Sequence, residues 1–297
     1  MRQSAGLRIK HPSAAYSRYI LALLLFGSNG IIADSIHLAG CQIILLRTFL
    51  GSLQLLLIGI GTHAFKGIAH HRRDIHFIVL SGVCMGISWM FQYEAYQRIG
   101  VSITSLLYCL GPVLVVLSAQ IVFKESITFR KALCLAAVAT GAALTGSTSL
   151  RGGTGITGII CALMCALAYV GIILFNKKSA AVHGLANAAV QLTSGFITAL
   201  LYNVFRWLSG STSLLCLDSR ECLPVLILGL LNTGIGCWLY FSGISVIPAQ
   251  TVAVCDYIEP LSAVILAALI LHEAMTALQI AGAALIIGGT VAWNILG

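Results

Sequence analysis

The chain has 297 residues, of which 59% are apolar and only 9% charged, with a mean hydropathy of +0.98. A soluble domain carries about 25% charged residues, so this composition excludes a water-soluble globular protein and describes an integral membrane protein. The formal net charge of +8 does not point to nucleic acid, because the basic residues cluster in short loops, where they report orientation.

Residues 1–18 are polar and basic, with Arg2, Arg8, Lys10 and Arg18. The apolar run after them lacks a small-residue cleavage site, so a retained signal anchor is expected in place of a removed leader. Ten apolar runs follow, near 19–38, 41–62, 75–97, 101–123, 130–148, 154–176, 185–207, 222–245, 248–271 and 276–296. Each is close to the ~20 residues that span a bilayer. The expected fold class is all-α integral membrane with ten transmembrane helices. With the amino terminus in the cytoplasm, inside segments hold Arg2, Arg8, Lys10, Arg18, Lys66, Arg72, Arg73, Lys124, Arg130, Lys131, Lys177 and Lys178. Outside segments hold Arg98, Arg151, Arg206 and Arg220. The positive-inside rule then puts both termini in the cytoplasm.

Polar groups within the runs are the candidate site. The first span carries Phe26-Gly27-Ser28-Asn29-Gly30, which suggests a thin or locally unwound helix with Asn29 beside a cavity, or simply close helix packing. Asp34 and His37 follow near its outer end. Arg47, roughly two turns into the second span, is the only basic residue in the apolar interior. It is suited to grip a carboxylate or phosphate bidentately, or to pair with Asp34 or an acid of the ninth span. Trp89, Gln92 and Tyr96 share one face of the third span, where Glu94 and Arg98 stand at the favourable i, i+4 spacing for a salt bridge. Gly82 and Gly86 suit a close helix contact. Tyr108 precedes Pro112 in the fourth span, Tyr169 lies in the sixth, and Trp238 and Tyr240 lie in the eighth. Gly153 to Gly158 matches GxGxxG but follows a loop instead of a strand, so it is not a dinucleotide fingerprint.

The ninth span holds Asp256, Glu259 and Pro260. An acid at bilayer depth costs about 2.5–3.5 kcal/mol on insertion scales, and a mid-helix proline removes a backbone hydrogen bond. Val252, Asp256, Glu259 and Ala263 share one helical face, which points both acids one way. They are candidates for a substrate counter-charge or a proton site; structural pairing with Arg47 or a protonated carboxyl is the alternative. Pro112 and Pro260 are hinge candidates.

The chain repeats itself. A shift of 148 residues lays Pro112 on Pro260, Glu125 on Glu273, Thr128 on Thr276, Gly86 on Gly234 and Gly141 on Gly289. A cytoplasmic segment 1–18, a first five-helix repeat at 19–148 and a second at 154–296 are therefore expected. Five spans separate the halves, so the second is inserted upside down. Inverted repeats are typical of secondary transporters with a midplane site. Most of the ten cysteines lie in apolar runs, and no set has metal-ligand spacing. Only Cys216 and Cys222 sit in a polar loop, where they are free thiols or a bridge. No cofactor and no metal are expected.

The pattern resembles the drug/metabolite transporter superfamily, specifically EamA-type permeases. The likeness rests on Ala95-Tyr96, Ser105 to Pro112 and Phe123-Lys124-Glu125-Ser126-Ile127-Thr128. It recurs in Ile258-Glu259-Pro260-Leu261, Leu271-His272-Glu273-Ala274 and Gly282. It implies a bacterial inner-membrane carrier of small metabolites, often an exporter of amino acids or related compounds. It also implies a central cavity walled by the first, third, fourth, sixth, eighth and ninth spans. Phe26 stands where the family often has tryptophan, and His272 replaces the lysine of the other half. The partners expected are a small-molecule substrate, a proton as a second candidate ligand, and the lipid bilayer. A membrane enzyme acting on a lipid and a non-transporting membrane subunit are the competing functions.

Overall fold

The computed structural model describes residues 12–111, 114–115, 118, 129–147, 155–179, 182–210, 215–244 and 255–296. Pro112, Val252 and the 123–128 motif lie outside the described residues. Helices in chain order are α1 Pro12–Gly27, α2 Asn29–Asp34, α3 Gly40–Gly61, α4 Arg72–Ile99, α5 Val101–Tyr108, α6 Phe129–Ser147, α7 Gly155–Lys178 and α8 Gly184–Leu208. Then come α9 Cys222–Leu226, π-helical turns over Ile227–Ile235, α10 Gly236–Ile244, α11 Ile258–Ile270 and α12 Ala277–Leu296. No strand occurs among the described residues.

Six stretches of described residues are long and apolar enough to cross a membrane: Ala15–Asp34, Gly40–Gly61, Arg72–Ile99, Gly155–Lys178, Gly184–Leu208 and Cys222–Gly243. Ala136–Thr145, Ile258–Ile270 and Ala277–Gly289 are shorter apolar helices. The first run is interrupted at Ser28, between the two glycines that flank Ser28 and Asn29 in the sequence. The eighth run is not a plain α-helix. Its middle winds as a π-helix, in which the Thr233 hydroxyl donates to the carbonyl five residues back, Leu228 O, at 2.7 Å.

Packing follows a regular scheme. α4 lies along α7 and α8, while the π-bearing span lies along α1 and α3. α5 packs on α11, and α6 on α12. Small residues permit the closest of these approaches. A Cβ at Gly82 would stand 2.5 Å from Gln191 O, and one at Gly86 would stand 2.9 Å from Gly195 O, so the Gly82–Gly86 pair is the seam between α4 and α8. Leu, Ile and Phe side chains cover much of the outer surface, among them Leu57, Leu201, Phe205 and Leu208, all more than 60% exposed. An apolar exterior of this kind suits lipid and not water.

Candidate functional site

Asp256 stands in the turn immediately before α11, and Glu259 lies in its first turn. Both line one cavity with Phe26, Asn29, Met85, Trp89, Tyr108, Cys109, Tyr169, Ile172, Cys237, Tyr240, Phe241, Tyr257 and Pro260. Its empty volume is about 720 Å³, including the part open to the surroundings. The walls are mostly aromatic. Tyr240 stacks on Tyr19 with ring centroids 5.2 Å apart, and meets Phe26 at 5.6 Å and Phe241 at 5.2 Å. Tyr108 meets Tyr169 edge-on at 5.5 Å.

The two acids are held differently. The Tyr19 hydroxyl donates a short hydrogen bond to Asp256 Oδ1, and the Tyr169 hydroxyl donates to Oδ2 at 3.4 Å. Among the described residues, no side chain hydrogen-bonds the Glu259 carboxylate. Asp256 is thus tied into the wall, while Glu259 faces the cavity as a carboxylate without a hydrogen-bond partner of its own.

Arg47 lies behind this wall. It is 1% exposed and does not line the cavity. Its Nε donates to Thr233 Oγ1 at 2.7 Å and its Nη1 donates to Tyr93 Oη at 2.6 Å. The guanidinium sits 4.4 Å from the centre of the Trp89 ring and 5.3 Å from that of Tyr93. An ion pair with Asp34 or an acid of the ninth span, one of the two alternatives for this residue, is absent among the described residues, and Nη2 has no hydrogen-bond partner there. Hydroxyls and aromatic faces take the place of a carboxylate.

The cavity therefore gathers Asn29, Trp89, Tyr108, Tyr169, Asp256, Glu259 and Pro260. Four expected residues fall elsewhere. Trp238 is 39% exposed and does not line the cavity: Cys237, Tyr240 and Phe241 share one arc of the helix, and Trp238, about 100° on from Cys237, falls outside it. Gln92 is buried outside the lining. Tyr96 packs on Tyr93 at 5.3 Å and lines a second cavity with Gly30, Asp34, Gln97, Val101 and Glu273. Arg47 braces Trp89 from behind. The Glu94–Arg98 salt bridge is present, with contacts of 2.5 and 2.8 Å.

Sequence reasoning missed Tyr19, Asn232 and Thr233. Asn232 Nδ2 donates to Leu25 O (2.7 Å), Ser28 Oγ (2.9 Å) and Asn29 Oδ1 (3.0 Å). The π-helical turns are thereby pinned to the break between α1 and α2. Polar residues within an apolar run were the available signal, and Asn232 and Thr233 carry it as clearly as Asn29 does.

The profile of a family described as "EamA-like transporter family" matches residues 15–147 and again 156–295. A protein of Bacillus subtilis (strain 168) named "Uncharacterized transporter YxxF" is 22% identical over 269 residues, covering 90% of this chain and 85% of that protein. A solved crystal structure superposes with a TM-score of 0.67 at 18% identity, covering 96% of this chain and 99% of that one. At that identity the structural likeness speaks to the fold alone.

Proposed function

Since the chain belongs to the EamA-like transporter family, we propose that this membrane transporter moves a small metabolite bearing an amine, an amino acid or a simple amine, by alternating access. The observation that carries this reading is Glu259: a carboxylate without a hydrogen-bond partner among the described residues, in a cavity walled by aromatic rings. An ammonium group gains from both, by ion pairing and by attraction to ring faces. Asp256, already engaged by two tyrosines, shapes the wall and sets the local negative potential. A proton on Glu259 is the natural competitor of the ammonium, which supplies a route to proton-coupled exchange.

The architecture belonging to this reading is ten spans in two inverted five-helix repeats, 19–148 and 154–296. They sit in the bacterial inner membrane with both termini cytoplasmic, and export is the favoured direction. Pro112 and Pro260 serve as bending points of the fourth and ninth spans.

A thermal-shift screen of detergent-purified protein against amino acids, amines, polyamines, nucleobases and sugar phosphates tests the assignment. A ligand at 100 times its Kd adds about 2.7 kcal/mol of stability. The expected result is a shift by amines or amino acids that disappears in Glu259→Gln. A shift by sugar phosphates alone, unchanged in Glu259→Gln, would move the site to Arg47 and remove the acids from recognition.

A further inference from the structure

The two cavities are stacked along the bundle. On α4, Met85 and Trp89 line the first and Tyr93, Tyr96 and Gln97 the second; Gln97 lies eight residues beyond Trp89, about 12 Å along a helix. On the broken first span, Asn29 lines the first cavity and its neighbour Gly30 the second. Gly30 and Val101 both line the second cavity, and Gly30 follows directly on Asn29 of the first. A Cβ at Gly30 would stand 2.5 Å from Val101 Cγ1, so the valine is seated directly on the glycine backbone.

Val101 is held there by one side chain from the other half of the chain. Glu273 Oε1 accepts the backbone N–H of Val101 at 2.9 Å, and Oε2 accepts that of Ser102 at 2.9 Å. These are the first two amides of α5, which have no partner within the helix, and the positive end of the helix dipole strengthens the grip. Gly100 makes the approach possible. Its φ is +82°, and a Cβ there would meet Glu273 Oε1 at 2.9 Å. A second carboxylate spans the halves at the same end of the bundle: Glu221 Oε1 accepts the backbone N–H of His37 at 2.6 Å.

We infer that Glu273 is the latch of the outer gate: by clamping the start of α5 it keeps Val101 on Gly30 and closes the central cavity from the second cavity. The inference rests on the alternating-access reading above. When the halves separate at this end, the carboxylate must release the α5 amides, Val101 leaves Gly30, and the two cavities join. Glu273 is a positioning residue; it touches no solute.

Cys237, 1% exposed, lines the central cavity and serves as the reporter. With Cys237 as the sole remaining cysteine of the full chain, a membrane-impermeant trimethylammonium methanethiosulfonate is applied to intact cells and, separately, to inside-out vesicles. The expected result for Glu273→Gln is labelling from the outer side faster by about tenfold, the factor that corresponds to about 1.4 kcal/mol, with the inner-side rate unchanged. Glu273→Asp, one methylene shorter, is expected to shift in the same direction and serves if the glutamine variant is not recovered as monodisperse protein. Unchanged outer labelling in a folded variant, or an equal rise from both sides, overturns the latch. Labelling reports access whether or not an amine is carried, so failure of the latch and failure of the solute assignment are separable.

Discussion

Arg47 and Glu259 show how single side chains divide the work. A guanidinium that is 1% exposed with no ion pair among the described residues is kept by geometry: two hydroxyl acceptors, and two aromatic faces. A lysine has neither the planar fork nor the stacking surface. Arg47→Lys is expected to lose one of the bonds to Thr233 and Tyr93 and most of the stacking on Trp89, at a cost of about 2 kcal/mol. The unfolding midpoint in detergent, compared with wild type, measures it. The acids of the ninth span were legible in the sequence because a carboxylate in an apolar run is anomalous by itself. Their division into a tied Asp256 and a free Glu259 was not. That depends on Tyr19, which sits near the start of the first span where tyrosine ordinarily marks the membrane interface.

At the scale of elements, two irregular segments meet at the site: the break at Ser28 and the π-helical turns of the eighth span. Asn232 ties one to the other. Irregular backbone of this kind is tolerated at membrane depth where protein or a cavity surrounds it, and π-turns frequently occur at functional sites. The break was readable from Gly27 and Gly30. The π-turns left no such mark in the sequence. The Glu273 clasp was equally invisible, because its partners are backbone amides. Glu221 offers a pH test outside the spans. The His37 backbone N–H holds its carboxyl below the usual glutamate range. A lowered pKa contributes stability above the unfolded value, about 4.3, and that contribution is lost as pH falls through the folded value. Thermal melts between pH 6 and 3 (an interval of about 3 units around that value) are expected to show a steeper acid loss in wild type than in Glu221→Gln. Parallel curves would mean that the His37 contact adds nothing.

Across the whole molecule, the packing scheme survives exchange of the halves. In the numbering of the ten apolar runs, and among the described residues, the third run lies on the sixth and seventh, and the eighth on the first and second; the fourth meets the ninth, and the fifth meets the tenth. Each of these pairs maps onto another, or onto itself, under the 148-residue shift read from the sequence. Contacts of α5 with α11 and of α6 with α12 join the two matched repeats, and the proposed alternating access would move them at this interface. Overall hydropathy and the internal repeat made this much of the fold legible. The lining of the cavity required coordinates, because helical phase alone assigns a face and not a neighbour. The most direct test of the central claim is counterflow in proteoliposomes preloaded with unlabelled amines and amino acids and exposed to the same compounds in labelled form. The account predicts transient accumulation of at least one of them by wild-type protein, abolished in Glu259→Gln. Folded protein that accumulates none, or a Glu259→Gln variant that exchanges at the wild-type rate, would contradict it.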